Sequence, residues 1–366
     1  MQVKISVCLF AGLLTACGGS EEPAAPAIDA QVAVDTAPAS ASCEPEAELS
    51  FICGIVNGED ILPLGATPWV LVSGMNGSLS GSDINGKIHL VNRGDKTAEI
   101  LFPGDNPVLQ LDQDQYPECP GQLDVSDFSA HGLSLRKLAK GPEIYQLYMT
   151  SHGAREAIEV FEVDAFLKPT IRWVGCIPMP LTSWTNSVSI LPDGGFMATQ
   201  FYDPGRDTIG DVFAGKTTGH VFAWHPGQAV SVLAGTDLAG PNGIVVSDDG
   251  RFVFVAAFGT AEVVRFDLSS SPPGKEVVKL DIYPDNIRWS DNGSLLTAGN
   301  NTPDYCGGGG CGWSVVEITP YNLAATRIGG AGEDSAMGDA SSAMSIGNEI
   351  WVGTYGGDRI AVLPRP

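Results

Sequence analysis

The chain has 366 residues, 43% hydrophobic and 17% charged, with a formal charge of -23. That apolar content excludes global disorder, and so acidic a surface repels phosphate backbones, which excludes nucleic acid as a partner. The 45 glycines and 25 prolines, with no long run of helix-forming residues, exclude a helical bundle and point to many short strands joined by tight turns.

Residues 1–16 read as an export signal: Lys4 supplies a positive charge and Ile5 to Leu14 form a short apolar run. The following Leu14-Thr15-Ala16-Cys17 resembles a bacterial lipobox, which implies that Cys17 carries the lipid that anchors the mature protein to the cell envelope. An ordinary signal peptide with a nearby cleavage site is the alternative. Residues 17–50 are rich in Ala, Pro, Ser and acid and read as a flexible tether. No later stretch is apolar enough to span a bilayer, so residues 51–366 form the folded domain. Export also explains the cysteines. Cys8 leaves with the signal and Cys17 is lipidated, leaving Cys43, Cys53, Cys119, Cys176, Cys306 and Cys311 for disulfides. Cys306 and Cys311 flank four glycines and suit a local bridge; the other four allow three pairings. A metal site is the alternative for these thiols, but no Cys-x-x-Cys pair supports it.

An internal repeat sets the fold. Ser189 to Thr199, Val245 to Val255 and Ile287 to Thr297 each read as an apolar run, an Asp-Gly or Asn-Gly turn and a second apolar run. A looser copy spans Ala343 to Gly353, and two weaker ones lie around Gly65 and Gly141. The turn glycines are Gly65, Gly141, Gly194, Gly250, Gly293 and Gly347, in steps of 76, 53, 56, 43 and 54 residues. Each step has room for four strands, so the spacing predicts an all-β, six-bladed β-propeller, with an insertion in the long first blade. A pair of β-sandwiches is the competing architecture.

One polar side chain recurs six to ten residues before each turn glycine: Glu59, His131, Asn186, Asn242, the pair Asp285 and Asn286, and Ser341. Equivalent positions in equivalent blades meet at one mouth of the central channel. Glu59 and Asp285 offer carboxylates and the three asparagines amide oxygens, an oxygen-only set that suits a central calcium and not zinc. Each residue alone reads more simply as a turn cap; the shared phase argues for a site. His131 lies in the same phase, and His152 ends the next strand of its blade, so the two imidazoles are expected to meet beside the metal. His89, His220 and His225 carry no such placement.

These segments resemble the paraoxonase family of calcium-dependent lactonases and arylesterases, and more distantly the gluconolactonase and regucalcin propellers. The resemblance runs in order through Gly58-Glu59-Asp60-Ile61-Leu62-Pro63, Ala130-His131-Gly132-Leu133-Ser134, Ser151-His152-Gly153, Thr185-Asn186-Ser187-Val188, Pro241-Asn242-Gly243-Ile244 and Asp285-Asn286-Ile287. It implies that Glu59, Asn186, Asn242, Asp285 and Asn286 hold a catalytic calcium and that His131 and His152 form the dyad that activates water. It also implies that Asp60 and the Leu133 carbonyl bind a second, structural calcium, which Ser187, standing where the family usually has Asp, weakens or removes. The family's disulfide between chain ends has no counterpart cysteine near Pro366. The expected activity is hydrolysis of a small lactone or aryl ester by a monomer; the alternative is a non-enzymatic, calcium-stabilised propeller that binds partners at the cell envelope. An apolar pocket above the metal separates the two, with Trp184, Tyr202 and Phe258 as candidate walls.

Overall fold

Alternating apolar runs broken by Asp-Gly turns give hairpins, and each hairpin begins a blade. The computed structural model describes residues 43–76, 85–307 and 309–366; the expected export signal, the lipidation expected at Cys17 and most of the expected tether lie outside the described residues. Six antiparallel sheets form the propeller. From the hub outward, blade 1 is Gly58–Pro63, Trp69–Gly74, Lys87–Asn92 and Ala98–Phe102. Blade 2 is Phe128–Lys137, Ile144–Gly153, Ala157–Asp164 and Thr170–Pro178. Blade 3 is Thr185–Ile190, Phe196–Gln200, Val221–Trp224 and Ser231–Val232. Blade 4 is Pro241–Val246, Phe252–Ala257, Glu262–Asp267 and Gly274–Lys279. Blade 5 is Tyr283–Trp289, Leu295–Asn300, Trp313–Ile318 and Ala325–Ala331. Blade 6 is Ala340–Ile346, Glu349–Thr354, Arg359–Pro364 and, from the start of the domain, Ser50–Cys53.

Burial falls along each blade. The innermost strand Pro241–Val246 is buried throughout, whereas the outermost Gly274–Lys279 is almost wholly exposed and carries Lys275, Glu276 and Lys279. Inner strands are covered on both faces by neighbouring blades; outer strands end at a sheet edge, where charge discourages pairing with other chains. All six turn glycines lie between the first and second strands of their blades. Gly194 and Gly250 sit at φ 89° and 71°, a backbone that L side chains rarely adopt, which is why Asp-Gly closes these hairpins.

The ring closes by strand pairing. Ser50–Cys53 pairs antiparallel with Arg359–Pro364, from Ser50 opposite Val362 to Cys53 opposite Arg359. The Cys43–Cys53 disulfide ties the preceding segment to this closing strand. Packing also begins before residue 51, because the Glu46 carboxylate accepts the Ala336 amide at 3.0 Å. The remaining bridges are Cys119–Cys176 and the local Cys306–Cys311. The insertion expected in blade 1 lies largely in the connection 103–127, which belongs physically to blade 2. There Val108–Leu109 runs parallel to Thr170–Pro178 as a fifth strand, and Cys119 is bridged to Cys176 on that same strand.

Candidate metal centre and catalytic site

Every inner strand is distorted at the same place. The register between the first and second strands shifts by one residue between Gly58 and Asp60, Ala130 and Leu133, Thr185 and Val188, Pro241 and Ile244, Pro284 and Ile287, and Ala340 and Ala343. The skipped positions contain Glu59, His131, Asn186, Asn242, Asp285 with Asn286, and Ser341. A β-bulge leaves its extra residue unpaired and re-aims its side chain. Here six bulges aim the recurring polar residues into the hub.

Hydroxyls pin the bulges from behind. Thr150, Thr199 and Thr297 donate to the carbonyls of Asn186, Asn242 and Asn286 at 2.8, 2.5 and 2.7 Å, and Ser341 donates to the Glu59 carbonyl at 2.5 Å. Thr150, Thr199 and Ser341 each reach into the next blade, so these bonds also register blade against blade. The hub's polar residues are therefore held through their backbones, leaving their side chains free to point inward.

Glu59, His131, Asn186, Asn242 and Asp285 line one cavity of about 280 Å³, and Asn286 joins them by donating its side-chain amide to Glu59 Oε1. Asp285 is hydrogen-bonded to the Asn242 side chain. Four buried oxygens have no hydrogen-bond partner: Glu59 Oε2 and the Oδ1 atoms of Asn186, Asn242 and Asn286. Buried acceptors are seldom left so, and four on residues that line or adjoin one cavity call for a shared donor or cation. Burial pushes the Glu59 carboxyl up to about 7. Burial, with repulsion from Glu59, also lifts Asp285 well above the usual carboxylate range. Both shifts mark negative charge held in the hub without enough positive charge to balance it. An oxygen-only set of two carboxylates and three amides is the kind that calcium takes, so the five ring residues fit the metal expected of them.

The pair Asp60 and Leu133 does not fit a second one. Both do meet in the hub, but Arg288 occupies the space. Its Nε donates to Asp60 Oδ1 at 2.9 Å, its terminal nitrogen to Asp60 Oδ2, and that same nitrogen to the Leu133 carbonyl at 2.9 Å. Asp60 also accepts the amides of Ile61 and Leu133, at 2.9 and 2.7 Å. Burial draws the Arg288 guanidinium down to about 10, still charged near neutrality.

His131 and His152 are in contact, with His131 Nδ1 2.9 Å from His152 Nε2. The chain of contacts runs further than the sequence suggests. His152 Nδ1 lies 2.6 Å from Glu156 Oε1, and the Thr185 amide donates to Glu156 Oε2 at 3.2 Å. With Glu156 ionised, His152 carries its proton on Nδ1 and accepts from His131 Nδ1, which leaves the His131 Nε2 lone pair facing the cavity, 3.6 Å from Glu59 Oε1. Burial and the neighbouring His152 hold His131 well below the usual histidine range, so it is neutral. Trp184, whose backbone has φ 33°, stacks on His152 with ring centroids 5.1 Å apart.

Trp184, Tyr202 and Phe258 line the cavity as expected; Phe201, Phe213 and Tyr355 line it without having been foreseen. Phe213 comes from the short helix Ile209–Phe213, inserted between the second and third strands of blade 3. Two larger clefts, of about 410 and 470 Å³, hold none of the hub residues, so size does not select the site. Cys306, Cys311 and Asp339 also lie within 4.8 Å of one another, but the two sulfurs are bonded to each other and are not thiolate ligands. Among the described residues no helix is long and apolar enough to cross a membrane.

Comparison with known proteins agrees with this architecture. Residues 193–271 match the strictosidine synthase family model, a stretch within blades 3 and 4. The fold is that of the gluconolactonase-like and regucalcin-like six-bladed propellers. A candidate gluconolactonase superposes with a TM-score of 0.52 at 15% identity, covering 87% of this chain and 92% of its own. Regucalcin from Agrobacterium tumefaciens gives 0.51 at 11%, covering 88% and 94%, and a luciferin-regenerating enzyme gives 0.52 at 12%, covering 85% and 92%. No curated protein matches the chain. At these identities the likeness concerns the fold, and the chemistry has to be argued from the hub.

Proposed function

We propose that the chain is a calcium-dependent hydrolase of small lactones or aryl esters, with a site of the paraoxonase kind. The observation that carries this reading is the convergence on one apolar-walled cavity of unpartnered buried oxygens, the carboxylates Glu59 and Asp285, and the neutral His131 imidazole, which is backed by His152 and Glu156. Glu59, Asn186, Asn242, Asp285 and Asn286 would hold the ion. Calcium bound there supplies a positive charge that polarises an ester carbonyl and stabilises the charge that develops on its oxygen.

The chain's own residues do the rest. Trp184, Tyr202 and Phe258 exclude water from the apolar part of the substrate and hold its ring or acyl chain against the hub. His131 Nε2 accepts a proton from the attacking water, whose oxygen forms the new bond to the carbonyl carbon. Its Nδ1 proton stays on the hydrogen bond to His152, which Glu156 holds in the required tautomer. The transient imidazolium faces Glu59 at 3.6 Å. It returns the proton to the alkoxide or phenoxide oxygen as the carbon–oxygen bond breaks, leaving a carboxylic acid and a free hydroxyl.

The cavity favours this reading over a binding module, since a metal that only staples a propeller needs no apolar chamber above it. The lipid on Cys17 would place the enzyme at a bacterial envelope, tethered by residues 17–50. A panel of γ- and δ-lactones and aryl esters, assayed before chelation, after it and after calcium is restored, tests the proposal. Hydrolysis that disappears and returns supports it; no hydrolysis of any member, or hydrolysis indifferent to chelation, contradicts it.

A further inference from the structure

We infer that Arg288 is a built-in cation that takes the place of a second metal ion in the hub. Arg288 stands two residues beyond Asn286 on the inner strand of blade 5, and both side chains reach into the hub, Asn286 to Glu59 and Arg288 to Asp60. Asp60 directly follows Glu59 on the inner strand of blade 1. Asp60 and Arg288 are 0% and 4% exposed. The carboxylate is saturated: each oxygen accepts one backbone amide and one guanidinium N–H. The Leu133 carbonyl accepts the same guanidinium. A planar fork fits a carboxylate through two parallel bonds, which a spherical ion cannot displace without stranding a buried guanidinium.

Charge explains why a guanidinium suffices. Ser187 contributes only a neutral hydroxyl, and its Oγ is buried without a partner. One carboxylate and one guanidinium sum to zero, whereas one carboxylate and a divalent ion would leave a net positive charge in the channel. Arg288 also never dissociates, so its part of the hub stays assembled whatever the supply of calcium.

The test counts ions. Full-length protein is stripped with chelator and dialysed against radioactive calcium at 1 mM (order of magnitude, well above weak-site affinities), and bound calcium per chain is measured for wild type and for R288M/S187D. The double variant removes the guanidinium and supplies a second carboxylate, and is expected to bind one ion more than wild type. An equal count overturns the inference, as does a wild-type count of two. The difference stands apart from the proposed activity: a wild type that binds nothing would sink the calcium reading of Glu59 and Asp285, yet a gain of one in the variant would still support the role of Arg288. D60N/R288M keeps the test open should the first variant not fold. Its count is expected to equal that of wild type, and a count lower by one would make Asp60 a calcium ligand and overturn the inference.

Discussion

Glu156 Oε1 lies 2.6 Å from His152 Nδ1, and this contact sets the direction of every proton along the relay to His131. Glu156 touches neither the cavity nor the ring, so its role is to position. Glu156→Gln keeps the shape but offers an amide where a carboxylate stood. The expected result is a fall of roughly 10–100-fold in kcat with little change in KM, and an altered pH profile of kcat. A variant that is merely less stable would move the melting temperature and leave that profile where it was.

His131→Gln removes the base itself. The rate should fall by roughly 10²–10⁴, while calcium affinity, measured by titration, stays within a few-fold of wild type. An unchanged rate would hand the role to a hub carboxylate.

Asp285→Ala removes one of the two carboxylates of the ring. Activity should be abolished, and the melting temperature in calcium buffer should fall towards that of chelated wild type, because stabilisation by the ion scales with its occupancy. Full activity in this variant would remove the metal from the account.

Chelation should make stability depend on pH in a defined direction. Without the ion, Glu59 titrates at about 7 in the folded chain against an ordinary 4.5, and Asp285 is raised as well. A carboxyl whose folded value is raised contributes stability that is fully present below 4.5 and is lost as pH rises through 7. Thermal melts of the chelated protein should therefore show stability falling between pH 5 and 8, by roughly 2–4 kcal/mol for Glu59 alone. Calcium, which favours both ionised carboxylates, should flatten or reverse that trend. Melts below about pH 4 would mix in surface carboxylates such as Asp211 and Asp267, whose values are depressed and act in the opposite sense.

Thr199→Val deletes the hydroxyl that holds the Asn242 carbonyl at 2.5 Å while preserving the volume of the side chain. Calcium affinity should drop about tenfold, because the bulge that aims Asn242 loses its brace. Titration calorimetry of the variant beside wild type measures this directly.

The blade count and the ring were legible because both rest on local, repeated chemistry. Asp-Gly and Asn-Gly turns announce hairpins, and polar residues in otherwise apolar inner strands stand out at a fixed distance before them. The bracing hydroxyls carry a sequence signal of their own: Thr150, Thr199 and Thr297 recur near the ends of the second strands of blades 2, 3 and 5. Arg288 was not legible: a lone Arg inside a strand reads as solvent-facing, and its partners lie 228 and 155 residues away. Glu156 was hidden by its setting, a tight turn whose four-residue spacing from His152 acquires meaning only once the hairpin folds. The closing strand escaped because nothing local to Ser50–Cys53 shows that its partner is Arg359–Pro364, at the far end of the domain.

The central claim is that Glu59, Asn186, Asn242, Asp285 and Asn286 share one ion. Anomalous diffraction from crystals of the protein grown in calcium tests it most directly. The account predicts a single strong peak in the hub, ~2.3–2.6 Å from oxygens of these five residues. Calcium-saturated crystals with no peak there, or with the four unpartnered oxygens turned away from one another, would contradict it.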